Sequence, residues 1–105
     1  MRGGYAEFFD IICKKCNTPI LLYQKDGHGM LKRLYLNRIF APSSLECLQH
    51  ETFNTAREIP DLLCWRCKTM IGHPILHHEG RYAFVLVRGN FTKRKARIER
   101  WEEIK

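Results

Sequence analysis

Two short stretches carry the residues best suited to chemistry. Cys13-Lys14-Lys15-Cys16-Asn17-Thr18-Pro19-Ile20 and Cys64-Trp65-Arg66-Cys67-Lys68-Thr69-Met70-Ile71 share the pattern Cys-x-basic-Cys-x-Thr-x-Ile. A Cys-x-x-Cys turn aims two sulfurs at one point, with backbone N–H groups near the second cysteine placed to bond the thiolates. Two such turns can surround one ion with four sulfurs. Cys13, Cys16, Cys64 and Cys67 are therefore expected to bind a single zinc ion, although the same donor set would also hold iron. Lys14, Lys15, Arg66 and Lys68 offset part of the negative charge that four thiolates accumulate. Such a site has no open coordination position for water or substrate, so its role is expected to be structural.

Other reactive residues are fewer. Cys47 lies outside both pairs, and His50 three positions later is its only neighbour able to activate it; a thiol enzyme is the weakest of the functional readings. A free thiol, buried or partly exposed, suits Cys47 better. His73, His77 and His78 fall within one arm, where strand alternation puts His73 and His77 on one face and His78 on the other. Surface or packing roles are expected for all three. The chain has no phosphate-cradling glycine loop, metal-hydrolase helix motif or serine nucleophile motif.

The elements that must position the cysteines read as short strands. Phe8 to Ile12 leads into the first pair and Leu62-Leu63 into the second, while Pro19 to Tyr23 and Met70 to His78 lead out. Gly72 and Pro74 are expected to interrupt the latter. Lys25 to Gly29, Glu79-Gly80 and Gly89-Asn90 carry turn signals, predicting a hairpin after each cysteine turn and a returning strand over Phe91 to Ala96. Met30 to Leu36 is expected to be the partner strand of the first hairpin. Arg81 to Arg88, rich in aromatic and β-branched residues, is the clearest strand. Ala41 to Asp61 reads as a linker with a short helical turn over Leu45 to His50 capped by Ser44.

An offset of 51 residues lays Cys13, Cys16, Thr18, Ile20 and Gly29 on Cys64, Cys67, Thr69, Ile71 and Gly80. Two similar units, each a cysteine knuckle with a hairpin, are implied. The 47 residues between Cys16 and Cys64 exceed the roughly 15–20 of a compact zinc ribbon, so each knuckle must belong to its own small sheet. The expected fold is mainly β: two zinc-knuckle hairpin units forming small antiparallel sheets joined at one four-cysteine zinc site, with little helix. The 105 residues suit a single zinc-binding domain, with 1–7 a loose N-terminal arm and 97–105 a C-terminal helix or tail.

The 45% hydrophobic and 28% charged composition is that of a folded chain rather than a disordered one. No apolar run approaches the roughly 20 residues of a membrane helix, and Glu7 and Asp10 interrupt any signal-peptide core. A cytoplasmic location is the expectation, where paired cysteines mean metal more often than disulfide.

The paired cysteines, with Met70-Ile71-Gly72 after the second pair and the strands between, resemble the β-tent proteins. These include the Yippee proteins, the drug-binding domain of cereblon, the methionine-sulfoxide reductase B class and the Rab-accessory zinc proteins. The resemblance implies a structural zinc and a sheet scaffold. It does not carry over the reductases' activity, because no cysteine follows Cys67, nor cereblon's tryptophan cage, because only Trp65 and Trp101 are present.

Two functions remain in play. A binding module would meet a protein partner on an exposed sheet or on the 41–61 linker. A nucleic-acid-binding domain, for RNA or single-stranded DNA, would use Arg88, Lys93, Arg94, Lys95, Arg97 and Arg100, with Phe91 and Trp101 stacking on bases and Lys14, Lys15, Lys32, Arg33 and Arg38 adding positive charge. The formal net charge of +7 favours an anionic partner. Lysines on an edge strand that deter pairing with other chains explain the same run, and Glu99, Glu102 and Glu103 dilute it.

Overall fold

The computed structural model describes residues 6–26, 30–77, 80–97 and 101. The first sheet pairs β1 (Ala6–Cys13) with β2 (Pro19–Asp26) across the first cysteine turn, and adds β4 (Ile39–Ala41) and β8 (Phe91–Lys95) in the order β4-β2-β1-β8. The second pairs β5 (Leu62–Leu63) with β6 (Met70–His77) across the second cysteine turn, and adds β7 (Arg81–Leu86) and β3 (Arg33–Tyr35) in the order β3-β7-β6-β5. All pairings are antiparallel. The expected mainly β fold of two small sheets is the one observed, with helix among the described residues confined to short turns such as α1 (Ser43–Glu46) and to Trp101.

Alternation along β1 explains how the sheets are filled. Ile11 and Cys13 enter the core enclosed by the two sheets, where they meet Leu21, Tyr23, Leu34, Ile71, Phe84 and Leu86. The intervening residues point the other way, yet Asp10 is 1% exposed and Ile12 2%. That second face is covered by Trp101, 3% exposed, which packs with Leu22, Ala41, Phe8 and Ala96. The first sheet is thus buried on both faces, and the apolar run Phe8-Phe9-Asp10-Ile11-Ile12 follows from that.

Three expectations about connectivity change. The strand after the first knuckle has no hairpin partner of its own: β3 leaves for the second sheet and pairs with β7, Leu34 opposite Phe84. Met30 to Lys32 and Leu36 fall outside β3, and Leu36–Arg38 forms a 3-10 turn. Gly89-Asn90 is likewise a crossover rather than a hairpin turn, because β8 leaves β7 and pairs with β1, Cys13 opposite Phe91. The two units exchange strands, so each sheet is completed by a piece of the other half. Only β6 and β7 form the hairpin expected after a knuckle. Alternating apolar residues determine which face a strand buries but not which neighbour it pairs with.

Local chemistry accounts for smaller differences. β6 runs unbroken through Gly72 and Pro74. Gly72 is required by close approach, since a Cβ there would sit 2.8 Å from the carbonyl oxygen of Val85 on β7. Ser44 lies inside α1, whose N-cap is Pro42 with no side-chain cap bond. Ala6 and Glu7 pair with Asp26 and Lys25, so β1 begins within the segment expected to be an arm. The 41–61 segment packs on the core through Leu48 and Ile59, and Phe53 meets Tyr82 edge-on with centroids 5.8 Å apart. No helix among the described residues is long and apolar enough to cross a membrane.

Candidate metal centre

Each cysteine turn is built by the same backbone bonds. The N–H of Cys13 donates to the carbonyl of Thr18 at 2.8 Å, and that of Asn17 to the carbonyl of Cys13 at 2.8 Å. In the second knuckle Cys64 N–H donates to Thr69 at 2.9 Å and Lys68 N–H to Cys64 at 2.9 Å. Asn17 and Lys68, at corresponding positions, both adopt positive φ, 64° and 67°. Asparagine tolerates that left-handed conformation; lysine does so at some cost, held by the turn around it. The repeat read from the motif is therefore a repeat of conformation.

The two knuckles face each other and bring together Cys13, Cys16, Cys64 and Cys67, whose Sγ atoms all lie within 4.8 Å of one another. Cys13 and Cys67 are 3.6 Å apart, and Cys16 and Cys64 3.5 Å. A tetrahedron with zinc–sulfur bonds of about 2.3 Å has edges of about 3.8 Å. Sulfurs at these separations can close around one ion with sub-ångström adjustment, whereas a disulfide needs about 2.05 Å.

The surroundings favour thiolates. Sγ of Cys64 accepts the N–H groups of Arg66 and Cys67, each at 3.4 Å. Sγ of Cys16 and Cys67 are hydrogen-bonded to the hydroxyls of Thr18 and Thr69, both at 3.0 Å. With sulfur as the anion, each hydroxyl is the donor. This is the physical reason for the shared threonine two residues after each second cysteine. The Thr69 hydroxyl, with the Thr69 backbone N–H, holds the Cys67 thiol down to about 6. The Thr18 hydroxyl lowers that of Cys16. Burial pushes Cys64 up to about 11, a penalty that a cation at the centre of the cluster would oppose. Lys14, Lys15, Arg66 and Lys68 are all exposed.

Two residues not anticipated from the motifs stabilise this end of the molecule. The carbonyl of Asn90 accepts the N–H of Lys14 at 3.0 Å, while its side-chain amide donates to the carbonyl of Met70 at 2.8 Å. The crossover between sheets is thereby tied to both knuckles. Asp10 is the second. Its carboxylate accepts the indole N–H of Trp101 at 2.6 Å and the backbone N–H of Arg97 at 3.3 Å. An acid inside an apolar run was the available signal.

The remaining candidates are dispersed. Cys47 is exposed, its thiol 3.3 Å from the carbonyl of Ser44, and His50 turns to Glu46 at 3.2 Å rather than to that thiol. His73 is exposed and His77 Nδ1 lies 3.2 Å from the hydroxyl of Tyr35. Four residues along a strand separate them by about 13 Å, too far to share a metal. His78 and Arg100 lie outside the described residues. Arg88, Lys93, Arg94, Lys95 and Arg97 are exposed, with Lys93 4.7 Å over the ring of Phe9. Trp101, expected to stack on bases, is instead buried against β1 and β2. Comparison of the chain with protein-family models, curated proteins and solved structures finds no match in any of the three.

Proposed function

We propose that the chain is a zinc-stabilised binding module of the β-tent kind whose partner is a protein, docking beside the second knuckle. Zinc fits the four-sulfur donor set and its spacing, and four thiolates complete its tetrahedron, so the metal fixes the fold and does no chemistry on a substrate. The observation that carries the docking reading is an apolar groove of about 470 Å³ between the second knuckle and the 41–61 segment, lined by Trp65, Leu63 and Leu45 among others. Trp65 is 61% exposed and Leu63 42%, on rigid elements directly attached to the metal centre. The Trp65 indole N–H donates to the carbonyl of Pro19 at 3.0 Å, which holds the ring in place across the two knuckles. A preorganised, exposed tryptophan is the residue type that anchors protein interfaces.

The nucleic-acid reading rests on the exposed cations of β8 and loses one of its two stacking residues with the burial of Trp101, while the other, Phe91, is half-buried and packs against the core. Affinity capture from the source cell distinguishes the two. The expected result is a protein recovered by the native chain and lost with Trp65→Ala, at unchanged zinc content, while Lys93→Met/Lys95→Met still captures it. Capture that ignores Trp65, or a complex with short RNA that weakens steeply with salt, overturns the reading.

A further inference from the structure

A second cavity, of about 320 Å³, opens at the end of the sheets away from the metal. β2 begins at the first knuckle and its far end, through Lys25, lines this cavity; Arg81 opens β7 opposite His77, the far end of β6 from the second knuckle. Among the described residues, five of its lining side chains are cationic (Lys25, Lys32, Arg33, Arg38 and Arg81) and none is acidic. All but Lys32 are half-buried. Concentrating positive charge in a partly desolvated concavity favours an anionic ligand there.

The cations are held rather than splayed. The guanidinium of Arg81 lies 3.8 Å over the ring of Tyr35 and donates to Asn37 Oδ1 at 3.4 Å, while Lys25 and Arg38 are likewise engaged within the chain. Tyr23, on the cavity wall, accepts the backbone N–H of Tyr35 at 2.9 Å, which leaves its O–H as a donor. Arg38 and Arg81 both act electrostatically on that hydroxyl. Three guanidinium forks, two ammonium groups and a phenol match the tetrahedral oxygens of a phosphoryl group better than a single planar carboxylate, whose one charge they exceed. Leu31 and the exposed Met30 give the mouth an apolar lip, and the volume is that of a small-ligand site.

We propose that this cavity binds a small molecule through its phosphoryl groups. The site is independent of the groove beside Trp65, at the opposite end of the sheets. Titration calorimetry of the zinc-loaded chain with inorganic pyrophosphate and with AMP tests it. Saturable binding of either probe is expected, weakening as salt is raised; tighter AMP identifies an organic phosphate, tighter pyrophosphate an inorganic one. Arg33→Met/Arg38→Met is expected to weaken binding at least about tenfold, since each charged hydrogen bond lost is worth that much or more. Lys93→Met/Lys95→Met removes the same charge from β8 and is expected to change affinity less than about twofold. Zinc content and circular dichroism of both variants report that they fold. No saturable binding of either probe up to about 1 mM, or equal losses in the two variants, overturns the proposal.

Discussion

Trp101→Phe probes the device that closes the outer face of the first sheet. Phenylalanine keeps most of the apolar ring that packs on Leu22, Ala41 and Phe8 but removes the N–H that Asp10 accepts at 2.6 Å. Asp10, 1% exposed, cannot recover that bond from bulk water. A hydrogen bond to a charged group contributes about 1.5–3 kcal/mol, and the second bond from the Arg97 N–H remains, so a cost of about 2 kcal/mol is expected. For a chain of this length that lowers the melting temperature by roughly 10 °C. Trp101→Ala, which also empties the space of the ring, costs a further ~2–3 kcal/mol. A double-mutant cycle with Asp10→Asn, read by urea denaturation of the zinc-loaded chain, should show coupling of at least about 1 kcal/mol. If Trp101→Phe is as stable as the native chain within about 0.5 kcal/mol, or the two substitutions are additive, Trp101 does not satisfy Asp10.

Three further perturbations test separate parts of the account. Gly72→Ala forces a methyl group against the Val85 carbonyl at 2.8 Å, and opening the β6–β7 pair to admit it should cost about 1–3 kcal/mol by chemical denaturation; a neutral effect would refute that close approach. Burial raises the Tyr23 hydroxyl above the ordinary tyrosine value. Stability from its retained proton is therefore complete below about pH 10 and lost as pH rises through the folded-state value. Ultraviolet titration should show a late phenolate step that Tyr23→Phe abolishes, and its persistence would reassign it. Cys47→Ser, at an exposed site away from the metal cluster, should change stability by less than about 0.5 kcal/mol and leave metal stoichiometry unaltered. Loss of metal in that variant would mean that Cys47 is a ligand.

The sequence carried the metal cluster further than the fold. Two copies of one motif, down to the threonine after each second cysteine, were enough to bring four sulfurs to one point, because a knuckle is a local structure whose geometry its own residues set. The strand exchange was not legible. β3 and β8 have the same alternation whether they return to the strand before them or cross to the other sheet, and the choice is made by Leu34 meeting Phe84 and by Phe91 beside Cys13. Asp10 and Trp101 were hidden for a related reason. A strand buried on both faces has an apolar run with one acid in it, and its partner lies 91 residues away. The cationic cavity combines β2, β3 and the segment before it, the 3-10 turn and β7, so it exists only once both sheets are assembled.

The central claim is that Cys13, Cys16, Cys64 and Cys67 hold one zinc ion that organises both sheets. Native mass spectrometry of the purified chain, before and after chelation, with near-ultraviolet circular dichroism on the same samples, tests it most directly. The account predicts one zinc per chain, its loss in Cys64→Ser, and collapse of the tertiary signal on removal, since zinc contributes on the order of 10 kcal/mol in comparable thiolate sites. A metal-free chain, or a Cys64→Ser variant, that keeps the native spectrum and a cooperative melt at the original temperature would contradict it.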